Sequence, residues 1–215
     1  MADTNVDLYT WATPNGRKVS IMLEEVGLPY TVFPIDIMKG DQHEEPFATL
    51  SPNHKIPIIV DHEAGIHLME SAAMLMYLAQ KTGKLMSQGG KQFWNEMQWL
   101  MFQVAHIGPM LGQTHHFVKF NPGKSPYAEE RYQTETTRLY QVLEQRLANR
   151  HYICDDYSIA DIATWPWISR FDYQQINLRD YPKLCDWYLR IAERPAVQRG
   201  YAVPMQEDVP LPHRT

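Results

Sequence analysis

Two hydrophobic rhythms meet near residue 83, and their order constrains the fold more than any other feature of the chain. Before that point, short β-branched and aromatic runs alternate with helical segments. Asp7 to Thr10 reads as a strand. Arg17 to Val26 reads as a helix, because Val19, Met22, Leu23 and Val26 recur at spacings of three and four. Gly27 ends that helix and Pro29 blocks its continuation. Tyr30 to Ile35 is β-branched and aromatic, which predicts a second strand. Residues 36–54 are polar and broken by Gly40, Pro46 and Pro52, apart from a short helical stretch at Glu44 to Leu50. Two more strands, Ile58 to Val60 and Ile66 to Met69, precede a helix from Ala72 to Ala79. This β-α-β, loop, β-β-α order predicts a mixed sheet with helices against it.

Beyond Gly89-Gly90 the rhythm is helical throughout. Phe93, Met97, Leu100, Val104, Ile107 and Leu111 form one apolar stripe, and Pro109 inside it predicts a kink. Tyr132, Thr136, Leu139, Leu143 and Leu147 mark a second long helix. Ser158-Ile-Ala-Asp161 opens a third, which Pro166 is expected to interrupt. Pro182 to Ala192 is a fourth, with proline near its start, where it is tolerated. From Val203 the chain has three prolines and no periodicity, and reads as a tail. The predicted organisation is an α/β domain over 1–82, a linker over 83–90, and an all-helical domain with a tail over 91–215.

Composition removes several function classes. The formal charge is −5 and no basic stripe is present, which argues against nucleic acid as a partner. No run approaches a transmembrane span, and the first residues lack the basic and apolar regions of a signal peptide. The two cysteines, Cys154 and Cys185, form neither a Cys-x-x-Cys motif nor a disulfide framework, so a reducing, cytoplasmic setting is expected. His115-His116 is an adjacent pair on a helix, and His43, His54, His62, His67 and His106 show no ligand spacing, so no metal is expected. No nucleophile elbow and no Gly-rich phosphate loop occur.

Three short stretches carry candidate chemistry. Ser71, between an apolar strand and an apolar helix, is placed to cap the helix, and a helix N-terminus attracts carboxylates. Glu70 beside it suits an amine, so Glu70-Ser71 offers a seat for an amino-acid-like ligand; a plain structural cap is the competing use. Thr13 and Asn15 join the first strand to the first helix, where a hydroxyl and an amide can stabilise an anion such as a thiolate. An ordinary Thr cap followed by Pro14 explains the same residues. Lys55-Ile56-Pro57 precedes the third strand. Trans is the default for the bond before Pro57; a cis bond would turn the Ile56 backbone outward to pair with a peptide-like ligand, and Lys55 either meets a carboxylate or is simply solvated. Ser158 with Asp161 reads as a capping box rather than as catalytic machinery.

Taken together, these stretches resemble the cytosolic glutathione transferases over essentially the whole length, and within them the nu class and the related fungal nitrogen-regulator proteins. The matching stretches are Thr13-Pro-Asn-Gly-Arg-Lys-Val-Ser, Ser51-Pro-Asn-His-Lys-Ile-Pro, Glu70-Ser71, Gln98-Trp-Leu, Gly108-Pro-Met-Leu-Gly-Gln-Thr-His-His-Phe and Tyr127-Ala-Glu-Glu-Arg-Tyr; Ser158-Ile-Ala-Asp is similar to the family's folding N-cap box. The resemblance implies a thioredoxin-like domain followed by an all-helical one, glutathione as co-substrate, and a homodimer. It implies that Glu70 and Ser71 hold the γ-glutamyl end, that Ile56 before a cis Pro57 pairs with the cysteinyl backbone, and that Lys55 faces the glycine carboxylate. Gln42 and Arg131 would be further glutathione contacts, with Thr13 and Asn15 facing the sulfur. The Tyr or Ser thiol donor of other classes has no clear equivalent, since Tyr9 lies within the strand and Ser20 within the helix. Nu-class proteins usually carry Asn where this chain has Thr114 and Gly where it has His106, both expected near the groove. The implied activity is reduction of a small disulfide through bound glutathione thiolate. Conjugation to an electrophile held among the six Trp and twelve Tyr, or non-catalytic glutathione binding, are the alternatives.

Overall fold

The computed structural model describes residues 5–212. Residues 1–4 and 213–215, which include part of the stretch read for a signal peptide and the outer ends of both domain assignments, lie outside the described residues. The chain forms two compact units. One is Met1–Lys84 with Arg194–Val209; the other is Leu85–Glu193 with Pro210–Thr215.

The first unit is a thioredoxin-like domain. Its elements are β1 (Val6–Thr10), α1 (Pro14–Val26), β2 (Thr31–Pro34), a 3₁₀ turn at Asp41–His43, α2 (Phe47–Leu50), β3 (Ile58–Asp61), β4 (Ile66–Leu68) and α3 (Ser71–Thr82). The sheet is mixed, in the order β2-β1-β3-β4. β1 runs parallel to β2, with Leu8 opposite Val32, and antiparallel to β3, with Leu8 opposite Ile59. β4 lies antiparallel to β3. Val6, Leu8 and Thr10 are buried on alternate positions of β1, the period that a strand with one covered face requires. Asp61, at the end of β3, ties the sheet to α3. It accepts the Tyr77 hydroxyl at 2.6 Å and pairs with Lys81 at 2.8 Å. Burial works against its carboxylate, but hydrogen bonds from Lys81, Tyr77 and the Ala64 N–H together hold its pKa below the usual value.

The second unit is helical: α4 (Gly90–Phe102), α5 (Gly108–Thr114), α6 (Pro126–Arg146), α7 (Ile159–Ile168) and α8 (Pro182–Ala192). The single stripe expected from Phe93 to Leu111 is broken by a π-helical turn at Gln103–Ile107. Pro109 has no N–H to donate, and the Gly108 N–H reaches back five residues to the Gln103 carbonyl. Ile107 and Leu111 are buried as the stripe predicts, whereas Val104, also expected in it, is 38% exposed and Gln103 is buried beside it. α7 runs through Pro166 to Ile168 rather than breaking at it, and ends within a turn of the proline. Its head is the capping box read from sequence. Asp161 accepts from Ser158 N, Ser158 Oγ, Ile153 N and Trp187 Nε1, so one buried carboxylate joins α7 to α8 and to the loop before α7.

A last helix, α9 (Pro195–Tyr201), has no counterpart in the sequence reading and clusters with the first unit, as does the chain that follows it to Val209. It crosses α1 backbone to backbone. A Cβ on Gly200 would lie 2.5 Å from Ile21 Cα, and the Ser20 hydroxyl donates to the Gly200 carbonyl at 2.7 Å. Arg17 pairs with Glu207, and its guanidinium sits 3.5 Å over the Tyr201 ring. Among the described residues, no helix is long and apolar enough to cross a membrane.

Candidate active site

The junction of β1 and α1 is set by Gly16. A Cβ there would lie 2.3 Å from the Trp11 carbonyl oxygen and 2.5 Å from Thr10 Oγ1, so only glycine lets the helix start so close to the strand end. Thr13 is the N-cap of α1, and its Oγ1 accepts the Gly16 N–H at 3.2 Å. Pro14 occupies the first helical turn. Asn15 is thereby presented at the head of α1, on the wall of a cavity of about 240 Å³.

The opposite wall comes from two loops. Ser51, Asn53, Lys55, Ile56 and Pro57 line one side, and Met69, Glu70 and Ser71 another. The Ile56-Pro57 bond is cis, as the resemblance implies. The Ser51 hydroxyl donates to the Lys55 carbonyl at 2.9 Å and accepts the Lys55 N–H at 3.0 Å, which closes the loop into a fixed turn. Glu70 takes a positive φ of 71° at the head of α3. It, not Ser71, occupies the N-cap position, and no side chain caps the helix. The cap expected of Ser71 is absent because Ser71 is the first helical residue and its Oγ accepts Lys18 Nζ at 3.3 Å.

Six of the nine residues expected at the site, Asn15, Lys55, Ile56, Pro57, Glu70 and Ser71, thus surround one cavity. Three do not line it. Thr13 is engaged as the cap. Gln42 sits in the 3₁₀ turn, where its backbone oxygen lies 3.1 Å from His54 Nδ1. Its buried Oε1 has no hydrogen-bond partner among the described residues. Arg131 belongs to the helical unit, where it lines a separate cavity of about 320 Å³ with Tyr127, Glu130, Thr134 and Glu135.

Lys18 was missed by sequence reading. It is buried on α1, and burial pushes its ammonium down to about 7 against the opposing pull of Glu70. The signal was present: Lys18 precedes Met22 by four residues, so it shares the inward face of the helix. Ser51, Asn53 and Met69 also line the cavity without having been singled out.

Other groups are disqualified by their surroundings. Tyr9 stacks on Phe33 with ring centres 4.7 Å apart, and Ser20 is committed to the Gly200 carbonyl. Cys154 is fully buried, and burial pushes its thiol up to about 12; Cys185 is buried and raised for the same reason. In the helical unit Thr114 exposes no surface, and its hydroxyl lies 2.7 Å from Thr136 Oγ1, so it packs between α5 and α6 rather than facing a groove. His106 sits beside Phe102, ring centres 5.2 Å apart. His115 stacks on Trp167 and His116 meets Phe117 edge-on, so the two adjacent rings point to different neighbours.

Comparison with known proteins places this geometry. The model of the glutathione S-transferase N-terminal domain matches residues 12–81, and that of the C-terminal domain matches residues 107–195. The disulfide-bond oxidoreductase YfcG of Escherichia coli (strain K12) is 47% identical over 197 residues, covering 89% of this chain and 92% of that protein. A glutathione transferase from Burkholderia graminis, solved with two glutathione molecules per subunit, is 41% identical. It superposes with a TM-score of 0.88 over 95% of this chain and 90% of its own. One from Pseudomonas putida, solved with one glutathione disulfide per subunit, is 40% identical, with a TM-score of 0.86 over 94% and 93%.

Proposed function

Because the chain belongs to the glutathione S-transferase family, we propose that it is a glutathione-dependent disulfide-bond reductase whose reacting sulfur arrives with the co-substrate. The observation that carries this reading is a pairing. A cavity lined by Asn15, Lys55, Glu70 and Ser71 lies at the head of α1, and both cysteines of the chain are buried with raised thiols. A protein thiol held so far from its thiolate form is a poor nucleophile.

In this reading the γ-glutamyl carboxylate sits on Ser71 and the free N–H groups of α3, and Glu70 holds the ammonium group. The Ile56 backbone, on the wall of the cavity, pairs with the cysteinyl peptide. Lys55 receives the glycine carboxylate, and Gln42 and Arg131 are further contacts. Asn15 and the Thr13 hydroxyl hydrogen face the sulfur, where donors and the helix dipole favour the thiolate. That thiolate attacks one sulfur of a small disulfide, forming a mixed disulfide and expelling the other sulfur as a thiolate, which takes up a proton. A second glutathione thiolate attacks the glutathione sulfur of the mixed disulfide, giving glutathione disulfide and the second thiol. The Burkholderia protein with two glutathiones and the Pseudomonas protein with the disulfide resemble the start and end of that sequence.

We further propose a cytoplasmic homodimer. Trp94 and Met101, seven residues apart on α4 and 69% and 47% exposed, supply an apolar stripe for a partner copy.

The test compares turnover of a glutathione mixed disulfide with that of an aromatic halide. Faster reduction of the disulfide is expected. Turnover of the halide alone would establish conjugation instead, and glutathione binding with neither reaction would establish a binding protein.

A further inference from the structure

Lys18 is a charged side chain placed where water cannot reach it. Only 2% of the residue is exposed. Its Nζ lies 3.3 Å from Ser71 Oγ, and Glu70 acts on it electrostatically from the head of α3. A structural lysine of this kind is costly, since a hydrophobic side chain of the same length would fill the space without desolvating an ammonium group. Its neighbours on α1 are arranged differently. Arg17 turns to Glu207 and Tyr201. Glu24 and Glu25 pair with Arg199 and Arg194. From α9 and the tail, therefore, the charged groups engage other residues of α1, and from α3 it is Glu70 and Ser71 that meet Lys18.

We propose that Lys18 is a positioning residue, a buried cation behind Ser71 that makes the head of α3 a seat for a carboxylate. By donating to Ser71 Oγ it occupies a lone pair of that oxygen, which leaves the Ser71 O–H to point outward and donate to the ligand. Its charge adds to that of the helix terminus. The inference rests on the reading of this cavity as the γ-glutamyl site, and goes beyond it by assigning the seat's charge to a residue that lines no part of the cavity wall.

A consequence follows for protons. Burial holds Lys18 near the point of half-protonation at neutral pH. A carboxylate arriving on Ser71 stabilises the charged form, so binding should draw a proton onto Lys18, and affinity should fall as pH rises through that range. His54, on the loop that carries Lys55, is a second titratable side chain in the same unit. A Lys18→Met variant separates the two sources.

The experiment is calorimetric titration with S-methylglutathione, whose sulfur does not ionise, from about pH 6 to about pH 8.5, in buffers of different ionisation enthalpy. Wild-type protein is expected to take up protons on binding and to weaken as pH rises. Lys18→Met should bind about tenfold more weakly at the low end and lose most of the pH dependence. Lys18→Arg, charged throughout, should bind without that dependence. Wild-type binding with no proton uptake, or an unchanged affinity and pH profile in Lys18→Met, would overturn the assignment while leaving the site intact. Failure of the wild-type protein to bind at any pH would overturn the site itself, and the role of Lys18 with it. Absence of proton uptake by the wild-type chain overturns the assignment without any variant, and Lys18→Arg supplies a second folded comparison if Lys18→Met does not fold.

Discussion

Thr13 Oγ1 accepts the Gly16 N–H at 3.2 Å, which makes a residue proposed to face the sulfur also the cap of the helix that presents Asn15. Thr13→Ala should therefore cost about 0.5–2 kcal/mol of stability and raise the pKa of bound glutathione. Asn15→Ala should leave the cap intact. It should raise the thiol pKa and lower turnover by about tenfold or more, since hydrogen bonds to charged groups are worth about 1.5–3 kcal/mol. A pH–rate profile beside a thermal melt checks both. An unshifted thiol titration in each would leave the helix terminus as the activator.

Ser71→Ala is expected to change binding more than stability. Ser71 is not the N-cap, so no capping energy is lost; what is lost is the oxygen that accepts from Lys18 and the proposed contact to the ligand. Calorimetry should show affinity reduced by about tenfold or more. A large drop in Tm with unchanged affinity would make Ser71 a structural residue only.

The order of elements along the chain, the mixed sheet followed by helices and the capping box at Ser158 were legible because each rests on local pattern: period two in β1, period three to four in the helices, and a Ser-x-x-Asp spacing. The π-helical turn at Gln103–Ile107 was not, because a widened turn leaves no compositional mark and displaces only Val104 from the stripe. α9 was hidden because seven residues with two glycine or proline positions hold too short a pattern to read, and its packing depends on Gly200 meeting Ile21. At the site, Asn15, Lys55 and Glu70 could be picked out by their place next to helix starts and Pro57. Lys18 shares the inward face of α1 with Met22, a signal that the reading left unused, and its partner Ser71 emerges only once α3 is seen against α1.

Lys18 also makes a prediction about stability. Its folded pKa, near 7, lies below the unfolded value of about 10.4, so the unfolded chain binds the extra proton between those limits. The cost of the buried charge is full below about pH 7 and is relieved as pH rises toward 10. Lys18→Met should thus be more stable than wild type at pH 6, and the margin should close with rising pH. Denaturant titrations across that range check the sign; a margin that grows with pH would contradict it.

In the helical unit, Asp161→Asn should destabilise by about 3 kcal/mol or more. The amide that replaces one oxygen faces donors from Ser158, Ile153 or Trp187 and leaves them unpaired in a buried site. Urea unfolding measures the loss. A change within about 0.5 kcal/mol would show that the carboxylate is not what joins α7 to α8.

The central claim is that the reacting sulfur belongs to glutathione and not to the chain. The most direct measurement is steady-state reduction of a glutathione mixed disulfide by a Cys154→Ala, Cys185→Ala double variant, with its fold checked by circular dichroism. The account predicts kcat/KM within about twofold of wild type, because both thiols are buried and held above their ordinary pKa. A folded double variant that binds glutathione and no longer turns over would contradict it.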